Sequence, residues 1–162
     1  MPYYFYRMTT RPIIQRTTSS DNDFQLLVSH LDHELWNELN EDQATYDQYN
    51  KVPDLSTVLV AYQEGQPIAC GCFKPVDEHT VEIKRMFVEK HWRGKGLSKL
   101  ILHALEQWAI ELGFKNAILE TSIHFNIARS LYATSGYTII SNYPPYEGLT
   151  ESICMKKTLP QL

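Results

Sequence analysis

Few cysteines and no long apolar run limit what this chain can be. Three of its 162 residues are cysteine, an odd number, and Cys70-x-Cys72 with a remote Cys154 is not a zinc-binding spacing. We therefore expect reduced, mostly buried thiols and no bound metal. No stretch approaches the roughly 20 apolar residues that cross a bilayer, and residues 1–16 lack the apolar core of a signal peptide. These absences predict a cytoplasmic protein that does not associate with membranes.

Net positive charge and the common nucleotide-binding motifs are also missing. The formal net charge is −4 and the pI is about 5.8, whereas nucleic-acid-binding proteins normally carry a broad basic face. The chain has neither the Gly-x-x-x-x-Gly-Lys-Ser/Thr loop of ATPases nor the Gly-x-Gly-x-x-Gly turn of dinucleotide-binding folds. We expect no nucleic-acid partner, and the sequence disfavours both nucleotide-binding classes.

What the sequence does contain is enough apolar material for a core. Hydrophobic residues make up 43% of the chain, and residues 1–162 fit a single domain by length. The tyrosine-rich residues 1–8 are either an extra edge strand or an N-terminal extension, and the sequence leaves both alternatives open.

Residues 80–113 organise the chain as a strand, a basic glycine turn and one long helix. The apolar positions of the strand change parity between Ile83 and Met86, and a β-bulge at Lys84 and Arg85 would restore a single apolar face. The helix should end at Gly113, a C′ residue. Its apolar residues recur at helical spacing and form one stripe: Leu97, Leu100, Ile101, Ala104, Leu105, Trp108 and Leu112.

The turn between this strand and this helix is suited to an anion. Two glycines, Gly94 and Gly96, let the backbone curl tightly and approach a ligand. The first amides of the helix and the positive end of its dipole then favour a phosphate or pyrophosphate. Local charge agrees, because six of the 15 basic residues lie nearby with only Glu89 opposing them: Lys84, Arg85, Lys90, Arg93, Lys95 and Lys99.

The remaining segments predict a mixed α/β sheet. A strand at residues 12–17, an amphipathic helix and an antiparallel hairpin of residues 57–62 and 67–74 precede the central strand. A short strand at residues 117–121 follows the long helix and implies a parallel crossover. Residues 137–140 and 151–158 form a final strand pair joined by a long loop, and residues 40–54 are a short helix or an ordered loop. The first helix carries Phe24, Leu27, Leu31, Leu35 and Leu39.

Two segments resemble the signatures of one enzyme family. Arg93-Gly94-Lys95-Gly96-Leu97-Ser98 is similar to the Arg/Gln-x-x-Gly-x-Gly/Ala loop of the Gcn5-related N-acetyltransferases (GNAT), with Ser98 the one departure. A second stretch resembles the family pattern Asn-x-x-Ala-x-x-Leu-Tyr-x-x-x-Gly-Phe/Tyr, but Asn126 sits one residue later than the family asparagine. Its matching positions are Ala128, Leu131, Tyr132, Gly136 and Tyr137. The resemblance covers about residues 57–159 and implies the GNAT fold, a mixed α/β sheet with splayed central strands.

The resemblance also implies an activity and a cosubstrate. The expected enzyme is an N-acetyltransferase that moves an acetyl group from acetyl-CoA directly to a primary amine of a small molecule, an amino acid or a peptide, with no metal. The pantetheine arm would lie along the central strand, whose bulge exposes backbone amides, and the pyrophosphate would lie in the glycine turn, with Lys95 or Lys99 near the outer phosphates. The implied coenzyme contacts are Met86, Phe87, Val88, Arg93, Gly94, Lys95, Gly96, Leu97, Ser98 and Asn126.

Three residues are candidates for proton transfer. Tyr132 stands at the position of the family's general acid, where it would protonate the departing thiolate. Glu82 resembles the general base of some family members, and a salt bridge to Lys84 or Arg85 is its structural alternative. Glu120 and a chain of waters are the other candidates for the base.

The acceptor and the assembly state stay open at this point. Aromatic and acidic residues could form a pocket for a small cationic amine: Glu34, Trp36, Tyr46, Tyr143, Tyr146 and Glu147. A non-catalytic acyl-CoA-binding sensor on the same fold is the main alternative to an enzyme. A homodimer is one of the assemblies that the sequence allows.

Overall fold

The computed structural model describes residues 10–39 and 54–162 of the chain. The predictions made for residues 1–8 and for residues 40–53, including Tyr46, therefore lie outside the described residues.

Seven strands of the described chain form one mixed sheet in the spatial order β1-β2-β3-β4-β5-β7-β6, so β4 is the central strand. The strands are β1 (Ile13–Thr17), β2 (Val58–Gln63), β3 (Gln66–Pro75), β4 (Thr80–Val88), β5 (Asn116–Ser122), β6 (Thr138–Ile140) and β7 (Ser152–Thr158). The helices are α1 (Asn22–Leu39), α2 (Leu97–Glu111) and α3 (Asn126–Thr134), with a 3-10 turn at Lys90–Trp92. The mixed α/β sheet predicted from the sequence is confirmed.

The first four strands form an antiparallel ladder. The hairpin between β2 and β3 closes on Glu64 and Gly65, whose φ angles are 50° and 78°. Two consecutive positive φ angles are what a two-residue type I′ turn requires, and this turn matches the twist of the flanking strands. The hairpin predicted at this place is confirmed.

Strand β4 is covered on both faces. Val81, Ile83 and Val88 belong to the core cluster that contains the buried face of α2, whereas Phe87 joins Leu27 of α1 in a second cluster. The central strand is therefore a long buried run, as its sequence indicates.

A β-bulge lies in the middle of β4. The register of the β3–β4 ladder shifts between Cys70 and Cys72, so that Arg85 and Met86 together oppose Gly71. Arg85 has a φ of 58°. The predicted bulge is thus present, but it lies one residue later than expected. It consists of Arg85 and Met86, since Lys84 pairs regularly with Cys72. It brings Met86 to the α2 side of the sheet, in line with the apolar residues before the bulge.

Gly71 makes room for this bulge. A Cβ atom at Gly71 would lie 2.7 Å from Met86 Sδ and 2.9 Å from side-chain atoms of both Ile101 and Leu105. Real Cβ atoms essentially never approach other atoms so closely, because protein interiors are packed to high density. Any larger residue here would push α2 away from β3.

The sheet opens beyond the start of β4. Three parallel rungs join residues 80–82 of β4 to residues 116–118 of β5, and no rung follows Glu82 and Ile118. Strand β5 instead continues in a seven-residue antiparallel ladder with β7. The two central strands therefore diverge, and the crossover by α2 is parallel as predicted.

The prediction for α2 was right in its bounds and partly wrong in its apolar stripe. The helix is followed by Gly113 at a φ of 91°, as expected of a C′ residue. Leu100 and Leu112 are 40% and 54% exposed, whereas Leu102 and Ile110 are buried. Each step of four residues along a helix advances about 40° beyond one full turn. The part of the predicted stripe that runs from Leu100 to Leu112 in such steps therefore moves to the edge of the buried face.

The three cysteines are free and buried, as predicted. Burial raises the pKa of Cys72 to about 12. Within residues 10–39 and 54–162, no group of three His, Cys, Asp or Glu side chains is placed to hold a metal ion. None of the described helices is both long enough and apolar enough to cross a membrane.

Candidate active site

The glycine turn between β4 and α2 presents free backbone amides. Gly94 and Gly96 adopt φ angles of 75° and 81°, which L-residues rarely adopt, although a Cβ atom at either position would meet open space. Gly96 is the N-cap of α2, no side chain caps the helix, and the first helical amide to pair with Gly96 O is that of Leu100. The amides of residues 97–99 thus have no partner within the helix, which makes this turn suitable for an anion.

Arg93 is held by the protein. Its Nε donates to Val88 O at 2.8 Å and one terminal nitrogen donates to Glu34 Oε2 of α1 at 2.6 Å. The guanidinium also lies 5.6 Å from the ring centre of Phe87. Arg93 therefore fixes the turn to β4 and to α1. A contact between Arg93 and a bound anion would form in addition to these hydrogen bonds. Lys95, by comparison, lies with its Nζ 4.7 Å from the ring centre of Trp92.

The basic residues do not form one patch around the turn. Lys84 Nζ lies 3.4 Å from Glu82 Oε1, and the guanidinium of Arg85 contacts the carboxylate of Asp32 on α1. The sequence suggested that Glu89 is the sole opposing acid. This is wrong, because α1 and β4 supply further carboxylates. Ion pairs with carboxylates therefore compensate half of the six positive charges, namely those of Lys84, Arg85 and Arg93.

A cavity of about 880 Å³ lies where β4 and β5 diverge. It is lined by residues 82–88 of β4, which begin at the last rung, and by residues 120–122 of β5, which lie beyond that rung. Gly94, Gly96, Leu97, Ser98, Lys99 and Asn126 also line it, as do Leu31, Leu35 and Tyr132. The cavity joins the glycine turn to the candidate acid and bases, so the predicted catalytic and coenzyme-binding residues line one space, with the exception of Lys95.

Glu82 is buried and well partnered. Its side chain is 5% exposed, its Oε2 accepts a hydrogen bond from Tyr143 at 2.7 Å, and its Oε1 lies 3.4 Å from Lys84 Nζ and 3.8 Å from Lys74 Nζ. One donor and two cations stabilise the negative charge of this carboxylate. The salt bridge that the sequence offered as an alternative to the base is present, with Lys84.

Glu120 has a less favourable environment for its charge. Burial raises the pKa of its carboxyl, partly opposed by a hydrogen bond with Ser152 and by the charge of Lys84, while Glu82 raises it further. A carboxyl with a raised pKa is a better proton acceptor near neutral pH than an ordinary one. Its position at the opening of the sheet makes it a candidate base.

Tyr132 lies on α3, 7% exposed, with its ring edge-to-face against Tyr137 at 5.9 Å. Burial, and then the nearby charge of Glu120, raises the pKa of Tyr132 to about 12. The hydroxyl is therefore protonated at neutral pH and can donate a proton. Its ring also contributes to the core, so the functional and the structural interpretation hold together.

The loop between β6 and β7 packs on β4 and does not form an open aromatic wall. Tyr146 is 4% exposed, and Lys84 Nζ lies 3.4 Å from its hydroxyl. Asn142 braces the loop, because its side-chain nitrogen donates to two carbonyl oxygens of the loop and to one at the start of β7, at 3.1 to 3.3 Å. Tyr146 lines the cavity, whereas Tyr143 and Glu147 are not among the lining residues. Of these three residues Tyr146 alone lies at the cavity, and the acceptor pocket stays a prediction.

Sequence reasoning missed what α1 contributes. His30 contacts Glu89, and Glu34 contacts Arg93. His30 and Glu34 are four residues apart on α1, and so are Glu89 and Arg93 in the segment after β4. Glu34 lines the cavity as predicted, whereas Trp36 is 53% exposed and does not. The available signal was the spacing of these polar residues beside the apolar stripe of α1.

The family model for the acetyltransferase (GNAT) family matches residues 21–137, more than half of the chain. The chain belongs to the GNAT family. This match includes the glycine turn, both diverging strands and α3, so the GNAT fold predicted from the signatures is confirmed.

Individual relatives agree with this membership. N-acetylaspartate synthetase from Danio rerio is 28% identical over 131 residues, which are 79% of this chain and 45% of that protein. A Klebsiella pneumoniae protein assigned to the acyl-CoA N-acyltransferases superimposes with a TM-score of 0.77 at 26% identity, over 95% of this chain and 100% of that one. A GNAT acetyltransferase from Elizabethkingia anophelis with acetyl-CoA bound shares the fold, with a TM-score of 0.66 at 20% identity over 91% and 98% of the two chains. The chain spans about half the length or less of the curated relatives first matched.

Proposed function

We propose that the protein is an acetyl-CoA-dependent N-acetyltransferase acting on a primary amine. The observation that carries this proposal is the opening of the sheet after three rungs, which leaves one edge of β4 without a strand partner inside a cavity that reaches the glycine turn. Family membership and the acetyl-CoA-bound relative of the same fold support it.

The residues of the opening fit a CoA thioester. The unpaired amides at the start of α2 can bind its pyrophosphate, with Ser98 and Lys99 at the same end of the helix. The free edge of β4 at Met86 and Val88 can pair with the amide groups of the pantetheine arm as a neighbouring strand would. Acetyl-CoA supplies an activated acyl group, and we assign the polarisation of its carbonyl to the backbone amides of β4.

The amine acceptor needs a base. A lysine-like amine has a pKa of about 10.4, so at neutral pH it is mostly ammonium and cannot attack. We assign the proton acceptance to Glu120, because burial raises its pKa and because its charge has fewer partners than that of Glu82. Glu82 remains the alternative base, and its charge also attracts the ammonium form of the acceptor.

The leaving thiolate needs a proton. Tyr132 lines the cavity in its protonated form and is the candidate donor. A cysteine-like thiol has a pKa of about 8.5, below the pKa of about 12 of Tyr132, so complete transfer of the tyrosine proton to the free thiolate is uphill. The Tyr132 hydroxyl therefore stabilises the leaving group by donating a hydrogen bond to the sulfur as negative charge accumulates there and the bond to carbon breaks.

Release of free thiol from acetyl-CoA tests the proposal. The purified protein is incubated with acetyl-CoA and with amines, amino acids and peptides in turn, and the thiol is measured colorimetrically. We expect release that depends on both an acceptor and the enzyme, together with an acetylated product one acetyl group heavier. Acetyl-CoA binding measured by calorimetry without release for any acceptor would favour the sensor over the enzyme. Absence of binding would contradict both.

A further inference from the structure

Arg85 occupies an unusual place for a charged residue. It lies in the central strand, its side chain is 4% exposed, and its φ of 58° is in the left-handed region. Among the described residues, Glu64 of the hairpin turn is the other non-glycine with a positive φ. Such a conformation is unfavourable for L-residues and is found disproportionately at ligand-binding sites.

The guanidinium of Arg85 is incompletely partnered. One terminal nitrogen donates to Asp32, whose side chain is 49% exposed, and Nε has no hydrogen-bond partner among the described residues. A guanidinium carries five N–H donors in a planar fork that matches the two oxygens of a carboxylate. A buried charge with an unsatisfied donor is unfavourable unless another group completes its hydrogen bonds.

The same stretch of β4 carries opposite charges along the cavity. Glu82 and Arg85 both line it and are three positions apart, about 10 Å along an extended strand. Glu120 lines the cavity from the neighbouring strand. An ammonium group is attracted to the two carboxylates, and a carboxylate is attracted to the guanidinium.

Resting on the proposed function, we infer that the acceptor is a free amino acid whose carboxylate binds Arg85 while its amine faces Glu82 and Glu120. This differs from the purely cationic amine that the sequence suggested. Of the described aromatic residues expected to enclose such an amine, Tyr143 and Tyr146 are packed in the β6–β7 loop and Trp36 is exposed. Asp32 accepts a hydrogen bond from one terminal nitrogen of Arg85, and the buried Nε is left without a partner among the described residues.

Matched acceptors test the inference. Thiol release from acetyl-CoA is measured with the twenty amino acids, with their carboxamides and with the corresponding decarboxylated amines. Charge-assisted hydrogen bonds contribute about 1.5 to 3 kcal/mol each, so the best free acid should exceed its carboxamide by about 10- to 100-fold in kcat/KM. A decarboxylated amine or a peptide N-terminus that reacts as well as every free acid would overturn the inference and leave the proposed N-acetyltransferase standing.

Two variants with opposite expected effects separate binding from misfolding. Arg85→Gln should raise KM for the free acid by about 10-fold or more and reduce the ratio of kcat/KM between the free acid and its carboxamide. Arg85→Lys should restore part of that ratio. Asp32→Asn, on the surface of α1, removes the competing carboxylate and should lower KM for the free acid. Equal losses for acid and carboxamide in Arg85→Gln, with acetyl-CoA affinity retained as the check on folding, would overturn the inference. Absence of acceptor-dependent thiol release with every acid, carboxamide and amine would refute the proposed function and this inference together.

Discussion

Replacing Gly96 by aspartate or by asparagine isolates the charge that the glycine turn is proposed to bind. The two side chains have nearly the same size, and both tolerate a positive φ better than other residues do. A Cβ atom at Gly96 meets nothing within 4 Å, so steric conflict with the protein is not expected from either. The pair therefore differs in one negative charge at the N-terminus of α2.

The structure predicts effects of opposite sign on stability and on binding. A negative charge at a helix N-terminus stabilises the helix by about 0.3 to 1 kcal/mol at low ionic strength. For a chain of 162 residues this corresponds to a Tm of Gly96→Asp about 1 to 4 °C above that of Gly96→Asn. The same charge about 4 Å from one phosphate costs about 1 kcal/mol at the dielectric constant of water and about 4 at an effective value of 20. Acetyl-CoA should thus bind Gly96→Asp about 5- to 1,000-fold more weakly than Gly96→Asn.

Calorimetry with acetyl-CoA and thermal melts of both variants make the comparison. Added salt should reduce both differences, since the turn is at the surface and screening acts there. S-acetylpantetheine, which carries no phosphate, is the matched ligand, and its KM should be the same in both variants. Equal acetyl-CoA affinities in two folded variants would refute the assignment of the pyrophosphate to this turn.

Three further predictions follow from the opening of the sheet and its bulge. Tyr132→Phe should lower the single-turnover rate by roughly 10- to 10,000-fold with little change in acetyl-CoA affinity, and a wild-type chemical rate would exclude the general acid. Glu120→Gln should lower turnover most near neutral pH, with recovery as the amine loses its proton at higher pH. Glu82→Gln should keep a Glu120-dependent profile and only move its acidic limb to lower pH, because the charge of Glu82 raises the pKa of Glu120; the reverse pattern would make Glu82 the base. Because the folded state raises the pKa of Glu120, its stabilising contribution is lost as pH rises through that value, so Glu120→Gln should have a Tm at pH 7 no lower than the wild type. Gly71→Ala should reduce the free energy of unfolding by about 1 to 3 kcal/mol in denaturant titrations. In the background of Met86→Ala the same substitution should cost less, because the contact with Met86 Sδ is absent. Additive losses in the double variant would contradict the packing argument.

The glycine turn and its helix were predictable because local backbone chemistry dictates them. Gly94 and Gly96 adopt the positive φ angles for which glycine is suited, and Gly113 ends α2 for the same reason. The bulge was also predictable, since a change of parity within an apolar strand has few other solutions. These features depend on residues close together in sequence.

The acceptor side was not predictable because it depends on contacts between distant segments. Arg85 and Asp32 are 53 residues apart, Arg93 and Glu34 are 59 apart, and the Tyr143 hydroxyl reaches Glu82 across 61. Composition showed the excess of basic residues near the turn, but the pairing of those charges requires the docking of α1 and of the β6–β7 loop on β4.

The three rungs between β4 and β5 leave the centre of the sheet as a weakly paired boundary between two longer ladders. On one side β1 to β4 share a continuous ladder, on the other β5, β7 and β6 share another, and α2 connects the two along the chain. Amide protons on the open edge of β4 should exchange with solvent faster than those inside either ladder, as in units that open separately. A ligand lying along that edge acts as the missing strand, so its arrival should slow exchange in both halves at once and merge two unfolding units into one.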